Sequence, residues 1–321
     1  MEHIINRRKF LKSSSIMALC LWLDPKTVFD FQNDTVTAQE SPVITIRRAA
    51  ATAKIEITKL RGNISVLEGS GGNICVLTGP EGKLLVDAGI DSSKPNLVNA
   101  LNSLGEGNLR FLINTHWHFD HTDGNEWLHQ EGATIVSHRN TLKNLSRTIR
   151  VEDWDFTFPP ASKGALPTVL FDKSYKLKFN NEDLEIIYYS PAHTDSDASV
   201  FFKKSNILHV GDTWWNGYYP FIDYSTGGNI KGMIEAAKLN IARVNDDTIV
   251  VPGHGPVGNK QQLIEYHQML RNVYSNVAKL KKEGRSLKQI IDQKPTAEYD
   301  KKWGGFVING DTFTKLVYKG A

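Results

Sequence analysis

From about residue 43 the chain sets short β-branched, apolar runs between polar turns. VITIRR (43–48), KIEITKL (54–60), NISVLEG (63–69), NICVLTG (73–79) and KLLVDAG (83–89) predict strands of an antiparallel meander with Gly-rich turns. Residues 93–104 predict a helix, RFLINT (110–115) a buried strand and 121–130 a second helix. A strand at 134–137 and a helix near 138–149 lead into a long irregular stretch at 150–173. The second half repeats the scheme. KLKF (176–179), LEIIYY (184–189), SVFFKK (199–204) and ILHVGD (207–212) read as strands, followed by a helix at 229–243, the strand TIVVPG (248–253) and a long helix at 259–283. Strands then helices, twice over, predict two similar α/β halves packed sheet against sheet with helices outside. A main domain at 43–283 and a less periodic C-terminal appendage at 284–321 are expected.

Composition narrows the partners. The 321 residues are 40% hydrophobic and 23% charged, ordinary values for a globular chain. A net charge of +3 is too small to imply nucleic acid or an anionic membrane surface. The partner expected is a small-molecule substrate, with no nucleic acid. The two cysteines, Cys20 and Cys75, cannot build a thiolate zinc site or a disulfide framework. A metal site in this chain has to come from histidine and carboxylate.

The first 38 residues read separately. Asn6-Arg7-Arg8-Lys9-Phe10-Leu11-Lys12 precedes a short apolar run from Ser13 to Leu23, the order of an export signal and too short for an ordinary membrane span. RRKFLK resembles the twin-arginine signal, the alternative being a chance Arg pair in an unstructured N-terminus. Val36-Thr37-Ala38 has the small-residue pattern of a cleavage site, so a signal peptide over 1–38 and a periplasmic or otherwise exported product are expected. Leu19 before Cys20 argues against lipidation, and no other run could anchor the chain stably in a membrane.

Ligand-type side chains crowd into NTHWHFDHTDGN (114–125), directly after the strand RFLINT. His116 and His118 at i and i+2 can point to one side of an extended segment. Asp120 and His121, where the chain turns into a helix, can face a second point nearby. Imidazole with carboxylate and no thiolate suits zinc, with manganese or iron(II) as alternatives. So many ligands so close together argue for two ions a few Å apart. His193 in SPAHTDSD, Asp212 in HVGDTWW and His254 in VPGHGP each end a predicted strand, where functional groups converge on a rigid frame. His129, His138, His209 and His267 have no ligand partner at short spacing and are expected in core or surface roles.

HWHFDH, then a His, a GD and a GHG in this order resemble the metallo-β-lactamase superfamily over about 43–270. The resemblance implies a four-layer αββα sandwich with mixed sheets and two zinc ions per chain. It places His116, His118 and His193 on the first metal, Asp120, His121 and His254 on the second, and Asp212 between them. Asp87 in LLVDAG would orient the ligands from behind. A bridging hydroxide would attack a carbonyl carbon or a phosphorus, with Asp120 as the catalytic proton shuttle.

Asp212 separates the branches. Glyoxalase II-like and lactonase-like members carry Asp here, whereas true metallo-β-lactamases usually carry Cys or Ser. The expected activity is therefore zinc-dependent hydrolysis of an ester, lactone, thioester or amide carbonyl. A β-lactamase is the alternative, and a mononuclear iron dioxygenase of the same fold ranks below it. The aromatic loop 151–167, with Trp154, and the run Trp214, Trp215, Tyr218 and Tyr219 after Asp212 are expected either to wall an apolar pocket or to pack the loops together.

Overall fold

In the computed structural model, which describes residues 40–321, the regular pattern opens on a helix rather than the predicted strand. Helix α1 (Pro42–Ala50) takes up VITIRR despite its β-branched residues. Ser41 caps it by accepting from the Val43 amide, and Pro42 fits the first turn, where no amide hydrogen is needed. Tertiary contacts complete the override: Val43 and Ala50 are buried, and Arg47 forms a two-pronged ion pair with Asp123. The export-signal expectation falls on residues 1–38, outside those described.

Strands β1 (Glu56–Lys59), β2 (Ile64–Glu68), β3 (Ile74–Gly79) and β4 (Gly82–Val86) form the expected antiparallel meander. After α2 (Lys94–Ser103), strand β5 (Leu109–Asn114) adds parallel to β4. The helix expected at 121–130 is two short ones, α3 (Phe119–Thr122) and α4 (Asn125–Gln130). The break lies at Gly124, where a Cβ would sit 2.3 Å from the Ala88 carbonyl oxygen. Strand β6 (Thr134–His138) and helix α5 (Arg139–Leu145) follow. The stretch expected to be irregular holds a hairpin of β7 (Ile149–Val151) and β8 (Phe156–Phe158), then β9 (Val169–Phe171), which joins the first sheet beside β6. Three-residue strands carry too little alternation to show in the sequence.

The second sheet runs β10 (Ser174–Phe179), β11 (Glu182–Tyr188), β12 (Ala198–Phe202), β13 (Ile207–His209) and β14 (Ile249–Val251). Its pairs are antiparallel except the last, β13 with β14, so both sheets are mixed. Helix α6 (Ile230–Arg243) separates β13 from β14, and α7 (Lys260–Lys282) follows.

Side-chain clusters define four layers. Val66, Leu84, Ile113 and Val136 of the first sheet share one apolar cluster with Leu184, Val200, Phe202 and Val251 of the second. Alternate residues Leu85, Leu112 and Ile135 face outward onto Leu97, Leu101 and Leu128 of α2 and α4. Leu208 and Val250 turn the other way, onto Met233, Ala237, Leu263 and Leu270 of α6 and α7. This is the expected αββα sandwich.

The tail expected to be an appendage supplies α8 (Leu287–Asp292), α9 (Ala297–Trp303) and α10 (Gly310–Gly320). Trp303, Ile308, Phe313, Leu316 and Val317 lie in the same buried cluster as α6 and α7. The tail therefore belongs to one unit with the sandwich, Glu40–Ala321. Among the described residues no helix is long and apolar enough to cross a membrane.

Candidate metal centre

The seven expected ligands follow strand ends at one edge of the two sheets. Four come just after β5, His193 lies between β11 and β12, and Asp212 and His254 follow β13 and β14. They assemble into two groups, His116 with His118, His193 and Asp212, and Asp120 with His121 and His254. Within each group the donor atoms lie within 4.8 Å of one another.

Asp212 joins the groups. Its Oδ2 is 3.4 Å from Nε2 of His193, 4.0 Å from Nε2 of His116 and 3.3 Å from Nε2 of His254. Its Oδ1 is 3.1 Å from Nε2 of His121. Asp120 Oδ2 is 3.1 Å from His254 Nε2 and 3.5 Å from His121 Nε2. Metal–nitrogen bonds of about 2.0–2.1 Å put tetrahedral donors roughly 3.3 Å apart, so these separations suit a shared cation.

Three of the inward rings are held from behind as follows. His116 Nδ1 meets Thr115 Oγ1 at 3.0 Å, and His193 Nδ1 meets the Phe221 carbonyl at 2.8 Å. Asp87 accepts from His121 Nδ1 at 2.8 Å and from both the amide and the hydroxyl of Thr115. It sits wholly buried at φ +68°, a backbone state uncommon for a non-glycine residue. These contacts fix which nitrogen faces the centre, as metal-binding histidines require.

The donor set fits metal ions. His116 Nε2, His121 Nε2 and Asp212 Oδ1 are buried with no hydrogen-bond partner, although such atoms are costly to leave unsatisfied. Burial would raise the carboxyls of Asp120 and Asp212, yet the imidazoles of His121 and His254 hold both well below the usual range. Against burial, the carboxylates of Asp212, Asp120 and Asp87 raise His121 well above its ordinary value, and Asp212 and Asp120 raise His254 to about 9. Burial pushes His116 and His193 down, toward the neutral form that binds metal. The acidic donors remain ionised and favour a cation among the rings.

Close backbone approach shapes the pocket. A Cβ on Gly253 would lie 1.9 Å from Asp212 Oδ1, and one on Gly72 would lie 2.1 Å from His121 Cε1. The Gly72 amide bonds the Asp120 carbonyl, and the Asn73 amide bonds that of Gly253. The turn between β2 and β3 thus closes over the ligands, a role that its glycines alone did not reveal.

The expected substrate-wall aromatics divide. Trp154 is partly exposed, 4.9 Å from the His118 ring and stacked on Phe221. Trp215 is buried in the core cluster but packs 4.4 Å from the His254 ring, and Tyr218 is partly exposed near it. Trp214 and Tyr219 instead have no exposed surface and pack in the core. The Tyr219 hydroxyl donates to Thr296 O and Asp300 Oδ1, and its ring stacks on Phe313. His209 bonds the Asn73 carbonyl, and His138 stacks on Tyr188. His129 and His267 likewise lie outside the donor groups.

Sequence reasoning missed Asp223. Its Oδ2 is 3.1 Å from His118 Nε2 and accepts from Thr226 Oγ1. The Asp223 amide donates to the His193 carbonyl. The only local signal was an isolated Asp in FIDYST, without ligand spacing.

The sandwich and its HxHxDH-type dinuclear site define a metallo-hydrolase. A family model described as the metallo-beta-lactamase superfamily matches residues 67–254, a span holding all seven donors, and the chain belongs to that superfamily. It is 25% identical over 173 residues to hydroxyacylglutathione hydrolase GloC of Haemophilus influenzae, covering 53% of this chain and 79% of that protein. It is 27% identical over 182 residues to a probable metallo-hydrolase of Methanocaldococcus jannaschii, covering 55% and 84%. Among solved structures it resembles the inverting sec-alkylsulfatase Pisa1 from Pseudomonas sp. (TM-score 0.67, 14% identity), covering 92% of this chain and 54%, about half, of that one. The DIM-1 metallo-beta-lactamase aligns at TM-score 0.54 and 23% identity, covering 68% and 97%. These structural likenesses show the fold.

Proposed function

We propose that this chain is an exported dinuclear zinc hydrolase of the glyoxalase II-like branch, acting on an ester, lactone, thioester or amide carbonyl. The observation that carries the reading is Asp212, whose one carboxylate reaches His116 and His193 in the first group and His121 and His254 in the second. The likeness to a hydroxyacylglutathione hydrolase points the same way. Zinc held by these donors would supply Lewis acidity, lowering the pKa of a water and polarising the attacked oxygen.

The chain's own residues do the rest. The side chains of Asp120 and His254 are each 12% exposed, whereas those of His116, His118, His121, His193 and Asp212 are at most 2% exposed. The carbonyl compound therefore enters on the Asp120–His254 side. Asp120 orients the attacking water and holds its proton on the carboxylate oxygen turned from His254, then passes it to the leaving group. Asp87, Thr115, Asp223 and the Phe221 carbonyl keep the rings in place during turnover.

Metal analysis of protein purified without added metal, with kcat/KM for one lactone, one thioester and one β-lactam, tests the reading. Two zinc ions and a preference for the lactone or thioester are expected, and Asp120→Asn should lower kcat by about 10²–10⁴. A wide preference for the lactam would move the protein to the lactamase branch, and a single iron to the dioxygenases. Export rests on the Arg7-Arg8 pair. Changing both to Lys should retain the protein in the cytoplasm, and normal export would overturn the twin-arginine route.

A further inference from the structure

We propose that Phe306, on the loop between α9 and α10, is a specificity-determining residue that selects a flat, apolar group on the substrate. That substrate is the carbonyl compound of the hydrolase reading, on which this inference rests. The Phe306 ring is 4.7 Å from Tyr218, 6.0 Å from Trp215 and 6.4 Å from His254. Phe306 and Tyr218 both keep exposed surface, on the side where Asp120 and His254 are the most open of the donors. A partly exposed aromatic surface beside an open ligand offers contact area to an aryl or bulky alkyl group and nothing to a short polar one.

The loop is anchored, so the wall is preformed. The Tyr219 amide donates to the Trp303 carbonyl at 2.8 Å, and the Tyr219 hydroxyl bonds Thr296 and Asp300. Trp303 and Ile308, on either side of Phe306 in sequence, are buried. These contacts tie the tail to the segment that follows Asp212, giving residues beyond 284 a direct part in the site.

The test uses the zinc-loaded full chain. Calorimetry measures its affinity for 3-phenylpropanoate and for acetate, and kinetics compare the phenylpropanoyl and acetyl esters of one alcohol. In Phe306→Ala the phenylpropanoate-to-acetate affinity ratio should fall about ten-fold, and the ester kcat/KM ratio should fall with it, mainly through KM. Zinc content should stay unchanged. Phe306→Leu should lower both ratios about three-fold, and it decides the matter if the Ala variant does not fold. Affinity ratios unchanged in the folded variants would overturn the proposal. If no ester is hydrolysed by the unmodified protein, the hydrolase reading fails by itself, and the affinity ratio still decides the role of Phe306.

Discussion

The Asp223 carboxylate meets Nε2 of His118 at 3.1 Å, and this contact turns the ring opposite to the other imidazoles of the centre. His118 shows Nδ1 to the centre, 2.8 Å from Nε2 of His193, whereas His116, His121, His193 and His254 all present Nε2. With the Nε2 proton donated to Asp223, the Nδ1 lone pair is free for a metal. Removing such a partner weakens metal binding about 10- to 100-fold. Asp223→Ala should therefore lose metal from the first group at chelator concentrations the unmodified protein withstands. Equal metal retention in a chelator titration would show that the contact does not position His118.

Gly253→Ala places a methyl group 1.9 Å from where Asp212 Oδ1 now lies. The carboxylate has to move, and the strand end it packs against has little freedom to yield, at a cost of about 1–3 kcal/mol. Metal stoichiometry should fall from two toward one while the circular dichroism spectrum stays close to that of the unmodified protein. Two ions still bound with full activity would contradict the bridging role.

Metal removal should expose a pH dependence centred on His254. Without metal its imidazole is raised from 6.5 to about 9, held there against burial by Asp212 and Asp120. A base raised on folding contributes fully below the unfolded value and loses that contribution as pH climbs through the folded value. The chelated protein should therefore lose thermal stability between about pH 6.5 and 9 relative to the zinc-loaded form. Zinc binding in that window should release protons, so its affinity should rise with pH. Melting curves with and without chelator check the first part, and calorimetry in two buffers the second.

Phe313 lies near the end of the chain, yet it is fully buried against Tyr219. Phe313→Ala should cost about 3–5 kcal/mol in urea unfolding, the loss typical of a core aromatic. An exposed appendage would show almost none.

The four-layer plan and the HWHFDH donors were legible because both are written locally. The meander strands show their apolar runs within each segment, and four ligands sit in six consecutive positions after one strand. VITIRR misled because its intrinsic preference is weak beside the Ser41-Pro42 start and the Arg47–Asp123 pair, whose partners are 76 residues apart in the chain. The Asp223 contact with His118 spans 105 residues, and nothing near Asp223 in the chain hints at it.

Trp214 and Trp215 show the division most clearly. They are neighbours of the same type directly after Asp212, and sequence alone left the same two roles open for both. Successive side chains of an extended segment point to opposite sides, so the pair had to separate. Which one reached the metal ligands depended on surfaces built elsewhere. The apolar cluster formed with α6, α7 and the tail took up both rings, Trp214 completely, while the loop holding Phe306 packs against Trp215 on the side of His254. Donor chemistry and spacing belong to the sequence, but what surrounds the donors comes from segments tens to hundreds of residues apart, which only packing brings together.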